Sequence, residues 1–296
     1  MPNAVQTWEL SKSYRGRQAL DALDLTVPRD IVFGYLGPNG AGKTTTIRLL
    51  AGLLRPSGGR AEIDGFDVVR DRERAQRQIG YLPGDFAAYP RLTAAAYLEY
   101  LGRLRGGPVR ETVRALADRV ELDLNLRIGA MSHGTRQKVG IVQAFMHSPA
   151  LLVLDEPTAG LDPLIQHEFL AMVREARDRG QTVFLSSHNL YEVEAVADMV
   201  GILVHGRLAV VEEIEKLKAQ AVRRIDLTFT GNPPVELLHQ VSAAREITVT
   251  GRTAHLVVEG HTTELMRVAA PYGIEQIVTH EPDLEDVFLS YYDRRE

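Results

Sequence analysis

Short apolar bursts dominate the first 80 residues. Segments 5–10, 20–27, 31–36 and 61–63 each read as a strand, and a glycine-rich loop leading into a helix over roughly 43–54 breaks the series. From 92 to 147 strand signals thin out and the pattern turns helical, with Leu98, Leu101 and Leu104 spaced to share a face. An apolar strand at 151–154 ends in Asp155-Glu156-Pro157. The helix predicted next, 163–179, carries Phe169, Leu170, Met172 and Val173 as its apolar side and stops at Gly180. A strand at 182–186 runs into Ser187-His188, and a hairpin around Gly206 joins 202–204 to 208–211. Strands alternating with helices predict an α/β fold around a mainly parallel sheet.

Beyond about 220 the pattern changes. Strand 225–230, helix 235–241, hairpin 247–250 with 255–258, helix 263–270 and strand 274–279 follow in turn, with a last helix at 284–292. This β-α-β-β-α-β order predicts a small ferredoxin-like α+β domain. It gathers no catalytic-looking groups, so it reads as a regulatory or dimer-supporting module, with a ligand sensor as the alternative. The expected division is 1–220 and 221–296, which 296 residues are long enough to fill.

Composition adds exclusions. The chain is 45% hydrophobic and 25% charged, ordinary for a globular protein, and a net charge of −5 gives no reason to expect a nucleic-acid partner. The absence of cysteine excludes disulfides, thiolate zinc sites and Cys-ligated iron–sulfur clusters, which fits the cytosol. Apolar runs stay far below the ~18–20 residues that cross a bilayer, and the N-terminus lacks a signal-peptide pattern. Any membrane role is therefore expected through a partner. The alternating charges of 70–77 read as a solvated helical face.

The candidate chemistry starts with residues 37–44, Gly-Pro-Asn-Gly-Ala-Gly-Lys-Thr, set between strand and helix. Gly37, Gly40 and Gly42 let successive backbone N–H groups converge on one anion. Lys43 brings a mobile cation to the outer phosphates of a nucleoside triphosphate, and the Thr44 hydroxyl is a Mg²⁺ ligand candidate. Asp155 and Glu156 stand at a strand's carboxyl end, where open α/β sheets bind ligands. There Asp155 suits a metal held through water, and Glu156 suits a base for an attacking water. His188, also at a strand end, is placed to contact a γ-phosphate, although alone it would read as a surface histidine. Ser132, with Gly134 close behind, opens a helix running to about 147. In isolation Ser132 is a helix cap. It becomes a second anion site if another copy of the chain packs head to tail, each serine over the other's nucleotide.

With these residues in this order, the chain resembles the nucleotide-binding subunits of ATP-binding cassette (ABC) transporters over roughly 4–215. Walker A lies at 37–44, the signature at 131–135, Walker B at 151–156, the D-loop at 160–162 and the switch histidine at His188. The resemblance implies a P-loop cassette with a RecA-like core, an antiparallel β subdomain and a helical subdomain at about 84–147. It implies an ATPase using ATP and Mg²⁺. Gly37, Pro38, Asn39, Gly40, Ala41, Gly42, Lys43, Thr44 and Thr45 would bind nucleotide, and Thr44 with Asp155 the metal. Glu156, His188 and Lys43 would be catalytic. Ser132, Gly134 and Asp162 would complete the site, and Tyr14, otherwise a packing residue, would stack on adenine. The runs 157–163 and 282–289 are similar to the type-2 exporter branch. That likeness implies a homodimer at the inner face of the cell membrane, paired with separately encoded permease subunits. Departures are Gly84 where the family has glutamine, for which Asp85 or water would substitute, and His133 and Thr135 within the signature. A soluble cassette acting on ribosomes or DNA is the competing reading, and a phosphate-loop kinase a third.

Overall fold

A computed structural model describes residues 3–107, 109–220, 223–258 and 262–280. The chain divides into two compact units, Met1–Glu212 and Glu213–Glu296. The N-terminal unit starts with β1 (Asn3–Tyr14), β2 (Arg17–Pro28), β3 (Val32–Leu36), α1 (Lys43–Leu50), β4 (Gly58–Ile63) and β5 (Phe66–Asp67). There follow α2 (Arg72–Arg77), β6 (Ile79–Leu82), α3 (Ala94–Leu104), α4 (Arg110–Arg119) and α5 (His133–Phe145). It closes with β7 (Leu151–Asp155), α6 (Pro163–Asp178), β8 (Thr182–Ser187), α7 (Leu190–Val196), β9 (Met199–Val204) and β10 (Arg207–Glu213).

Among the described residues, β2-β1-β4-β5 form an antiparallel sheet and β10-β9-β3-β8-β7-β6 a six-stranded one. In the latter, β9, β3, β8, β7 and β6 run parallel. The register aligns Leu36 with Ser187, Asp155 with Ser186 and Leu82 with Leu154. The segments that leave β3, β7 and β8 therefore emerge on one edge of the sheet. That edge is where the candidate chemistry gathers.

The strands read as unbroken apolar runs because both sheet faces are covered. Leu152, Leu154, Val183 and Leu185 pack on one side with Phe169, Met172 and Val173 of α6 and Val139 and Val142 of α5. Leu151, Val153, Phe33, Tyr35 and Phe184 pack on the other with Ile47, Leu49 and Leu50 of α1. The period-two alternation of a strand sorts neighbouring residues into these two cores. Helix α6 is set by Asp162 at its N-cap, accepting from the Ile165 N–H at 3.1 Å, with Pro163 in the first turn. Each large apolar side chain it buries contributes about 1.5–3 kcal/mol.

Several sequence expectations are corrected. Helix α1 stops at Leu50 rather than near 54, because Gly52 turns left-handed at φ 67° and the Leu53 and Leu54 N–H groups both close on Arg48 O. Leu98 is buried, but Leu104 is 66% exposed, so the α3 apolar face splits between the core and the surface. Strand β6 and helix α7 were not foreseen. Gly80 weakens the strand signal of β6, yet a Cβ there would lie 2.2 Å from Ala144 O, so close packing of α5 demands glycine.

The C-terminal unit holds α8 (Ile214–Gln220), β11 (Arg223–Phe229), α9 (Val235–Leu238), β12 (Ala244–Thr250), β13 (Thr253–Val258), α10 (Thr263–Ala269) and β14 (Ile274–His280). Its sheet has the order β12-β13-β11-β14, each neighbouring pair antiparallel. Ile225, Leu227 and Phe229 of β11 face Leu238 and Leu265 in a separate core. Helix α9 is shorter than the predicted 235–241. The predicted helix 284–292 and the 282–289 run lie outside the described residues. Among those described, no helix is long and apolar enough to cross a membrane.

Candidate functional site

The loop after β3 is shaped by what its glycines permit. Gly40 and Gly42 sit at φ 82° and 114°, conformations that side-chain-bearing residues rarely hold. A Cβ on Gly37 would stand 2.6 Å from Leu203 O, and one on Gly42 2.6 Å from Ala19 O. Gly42 is also the N-cap of α1 and offers no side-chain acceptor to the first turn. The helix therefore presents uncapped N–H groups and the positive end of its dipole at the loop. Lys43, only 6% exposed, is held by Gly37 O at 2.6 Å and Pro38 O at 3.4 Å, with Glu156 Oε1 at 3.5 Å. Its ammonium thus bridges the loop and the end of β7.

Asp155 ends β7 at 1% exposure, where a carboxylate is costly unless hydrogen-bonded. The Ser186 hydroxyl of β8 donates to its Oδ1 at 2.7 Å. The next residue, Glu156, has φ 47°, which costs a non-glycine residue about 1–2 kcal/mol. Its N–H donates to Ser186 O at 3.1 Å and Ser186 Oγ at 3.2 Å. Its carboxylate accepts from His188 Nδ1 at 2.6 Å and from the His188 N–H at 3.3 Å. Because a carboxylate only accepts, Nδ1 is the ring donor.

Pro38, Asn39, Gly40, Gly42, Lys43, Thr44, Thr45, Glu156 and His188 line one open cavity of about 410 Å³, with Ala19 and Ala159. The structure brings these predicted residues together. Ala19 and Ala159 carry no chemistry that a sequence pattern would flag. Ser186 did leave a signal, as a polar residue at the end of an apolar strand.

Other predicted residues stand outside that lining. Ser132 caps α5, its Oγ accepting from the Thr135 N–H at 3.1 Å and 2.8 Å from Thr135 Oγ1. Thr135, a departure within the signature, thus supports the serine. Gly134 packs so closely that a Cβ would lie 2.3 Å from Gly160 O, and the His133 ring lies against Gly160 as well. Asp162 spends its carboxylate on capping α6. Tyr14 is 43% exposed at the β1–β2 turn, with Lys12 Nζ 5.3 Å from its ring centre. Gly84 abuts the buried carboxylate: a Cβ there would come within 3.3 Å of Asp155 O and 3.5 Å of Asp155 Oδ2. Gln137, fully buried, donates from Nε2 to Pro157 O at 3.0 Å and ties α5 to the chain after β7.

A phosphate loop on a parallel sheet, with a carboxylate pair and a histidine at the same strand ends, defines a P-loop nucleoside triphosphatase. Comparison narrows the class. The family model for ABC transporters matches residues 20–159. The bacitracin transport ATP-binding protein BcrA of Bacillus licheniformis is 32% identical over 98% of this chain and 97% of its own. A solved ATP-binding subunit of an ABC transporter superimposes with a TM-score of 0.69 at 31% identity, covering 73% of this chain and 92% of its own. The dimeric ATP-binding cassette MJ0796 bound to ADP and Pi shares the fold, with a TM-score of 0.66 at 22% identity over 71% and 98% of the two chains. The chain belongs to the family of ABC transporter ATP-binding proteins, and it is an ABC-type ATPase.

Proposed function

We propose that this chain closes as a head-to-tail homodimer around two Mg·ATP and drives export through a separately encoded membrane subunit. One observation carries the reading: Lys43, Glu156 and His188 converge on a single cavity wall, at 3.5 Å and 2.6 Å from one another in turn. Lys43 and the loop N–H groups bind the β- and γ-phosphates. Glu156 takes a proton from water as it adds to the γ-phosphorus, and the bond to the β–γ bridging oxygen breaks to leave ADP and phosphate. His188, hydrogen-bonded to that base, contacts the γ-phosphate.

The donor set fits Mg²⁺. Thr44 lines the cavity, and Asp155, off that lining, has among the described residues one carboxylate oxygen engaged by Ser186; a hydroxyl and a carboxylate are hard oxygen donors of the kind this ion prefers. Bound there, the ion supplies charge neutralisation on the phosphate oxygens. Gly84 adds no ligand, and Asp85 or water takes that role. Ser132 and Gly134 lie off their own chain's cavity, which supports their acting across the dimer on the partner's nucleotide, with Asp162 two residues beyond the Gly160 that Gly134 packs on. Tyr14 stacks on adenine. The membrane subunit docks near 81–100. A groove of about 310 Å³ borders that segment at Tyr81 and Leu101. A peripheral position on the cytoplasmic face of the membrane follows. The C-terminal unit is a ferredoxin-like accessory module, a reading its strand order supports.

The test is Glu156→Gln. It keeps the size of the side chain but not its basicity, so ATP binding persists while steady-state phosphate release falls at least ~100-fold. Turnover near that of the unaltered protein sinks the assignment of the base.

A further inference from the structure

Helix α7 buries a carboxylate that the reaction as described does not use. Glu192 is 8% exposed. Its Oε2 accepts from the Thr158 hydroxyl at 2.7 Å and the Ser187 hydroxyl at 3.3 Å, and its Oε1 accepts from Asn189 Nδ2 at 3.1 Å. Ser187 Oγ in turn accepts from the Asn189 N–H at 2.9 Å, and Asn189 Oδ1 from the Tyr191 N–H at 3.1 Å. Among the described residues no cation pairs with Glu192, so hydrogen bonds from neutral donors alone offset its desolvation. Apolar residues in place of the carboxylate and of its buried donors together would hold α7 at less cost. The carboxylate therefore calls for a reason other than packing.

Its partners supply one. Ser187 and Asn189 are the two neighbours of His188, and Thr158 lies between Glu156 and Asp162. The His188 side chain is itself 65% exposed, and among the described residues its hydrogen bonds go to Glu156 alone. With so little packing of its own, the ring takes its position from the backbone on either side. We propose that Glu192 is a positioning residue: one buried carboxylate clamps both flanks of His188 to the segment following Glu156, and thereby fixes the His188–Glu156 geometry. The link runs on, since Thr158 O accepts from the Leu161 N–H at 3.1 Å, next to the Asp162 that caps α6. This inference rests on the reading of His188 as the γ-phosphate contact.

Two measurements on the full-length chain separate the possibilities. Glu192→Met keeps roughly the length of the side chain and removes both carboxylate oxygens. Nucleotide affinity, measured by fluorescent-nucleotide titration, stays within about 3-fold of the unaltered protein. The melting temperature falls, because the buried Thr158 and Ser187 hydroxyls lose their acceptor. At temperatures where the chain stays folded, kcat falls roughly 10- to 100-fold, the scale set by a misplacement of about 1 Å. Glu192→Gln, which retains one acceptor and can donate to the Thr158 oxygen, gives an intermediate kcat. Combined with His188→Ala, Glu192→Met lowers kcat no further, because both changes remove the same contribution. Where His188→Ala is impaired, multiplying losses in the double variant, or an unchanged kcat in Glu192→Met, overturns the proposal. The second measurement does not involve turnover. In ¹⁵N-detected imidazole spectra, Glu192→Met displaces the His188 ring signals, assigned by their loss in His188→Ala, and leaves the other eight histidines of the nine in place. A displaced ring with full activity in His188→Ala sinks the γ-phosphate reading and leaves the clamp standing; an unmoved ring removes the clamp. Should Glu192→Met fail to fold, Thr158→Val, which deletes a single donor, must show the same direction of change in both measurements, or the proposal falls.

Discussion

Ser186 shows how much a single buried hydroxyl carries at this site. It donates to Asp155 Oδ1 and accepts from the Glu156 N–H, so it fixes both residues of the carboxylate pair. Ser186→Ala leaves a carboxylate oxygen without its donor at 1% exposure, and stability falls by about 1–3 kcal/mol, read as a lower denaturant midpoint. Gly42 fails differently. Gly42→Ala forces a Cβ to 2.6 Å from Ala19 O at φ 114°, so the loop must rebuild and ATP affinity drops at least ~10-fold in equilibrium titration. The glycine spacing and the Lys43-Thr44 pair were legible as a phosphate cradle because their chemistry is local. Ser186 showed only as a polar residue at a strand end, and its role was not legible, because it depends on the register that sets β8 beside β7.

Between elements, the contact of α5 with β6 and α3 holds a pH-sensitive joint. His147, just past the end of α5, lies with Nε2 2.8 Å from Arg105 Nη1 and 3.3 Å from Ile79 O. Burial, followed by the Arg105 charge, pushes its pKa down to about 4. The folded state therefore disfavours the protonated ring, whereas the unfolded chain takes up that proton near pH 6.5. Stability is intact above that value and declines as the pH falls toward 4. Melting temperatures measured between pH 7 and 4.5 drop in the unaltered protein and drop less in His147→Asn. An equal slope in both excludes His147 as the source. At this scale the helices α5 and α6 were readable from capping and periodicity. Strand β6, the early stop of α1 and the outward turn of Leu104 were not, since each is set by what packs against it.

For the whole molecule, the proposed head-to-tail homodimer is the prediction to test. Ser132 and Gly134 are rigidly placed by the α5 cap and the close approach to Gly160, but away from the cavity of their own chain. With hydrolysis blocked by Glu156→Gln, ATP shifts the chain to a dimer in sedimentation velocity. Adding Ser132→Arg, which sets a long cation at the helix start, weakens that dimer at least ~10-fold. A Glu156→Gln chain that stays monomeric at saturating ATP contradicts the head-to-tail arrangement.

The order of the main strands and helices, β6 and α7 apart, the phosphate loop, the acidic strand end and the serine cap were determined by the sequence alone. Each depends on short-range periodicity, backbone freedom or a side chain's intrinsic chemistry, and these survive without knowledge of neighbours. Tertiary structure alone decided which residues share a wall. The parallel register brings Lys43, Glu156 and His188 within reach across more than a hundred positions of chain, and buries Glu192 against Thr158 and Ser187. Such contacts are made by strand pairing and by exclusion of water, and neither leaves a mark on the spacing of residues along the chain.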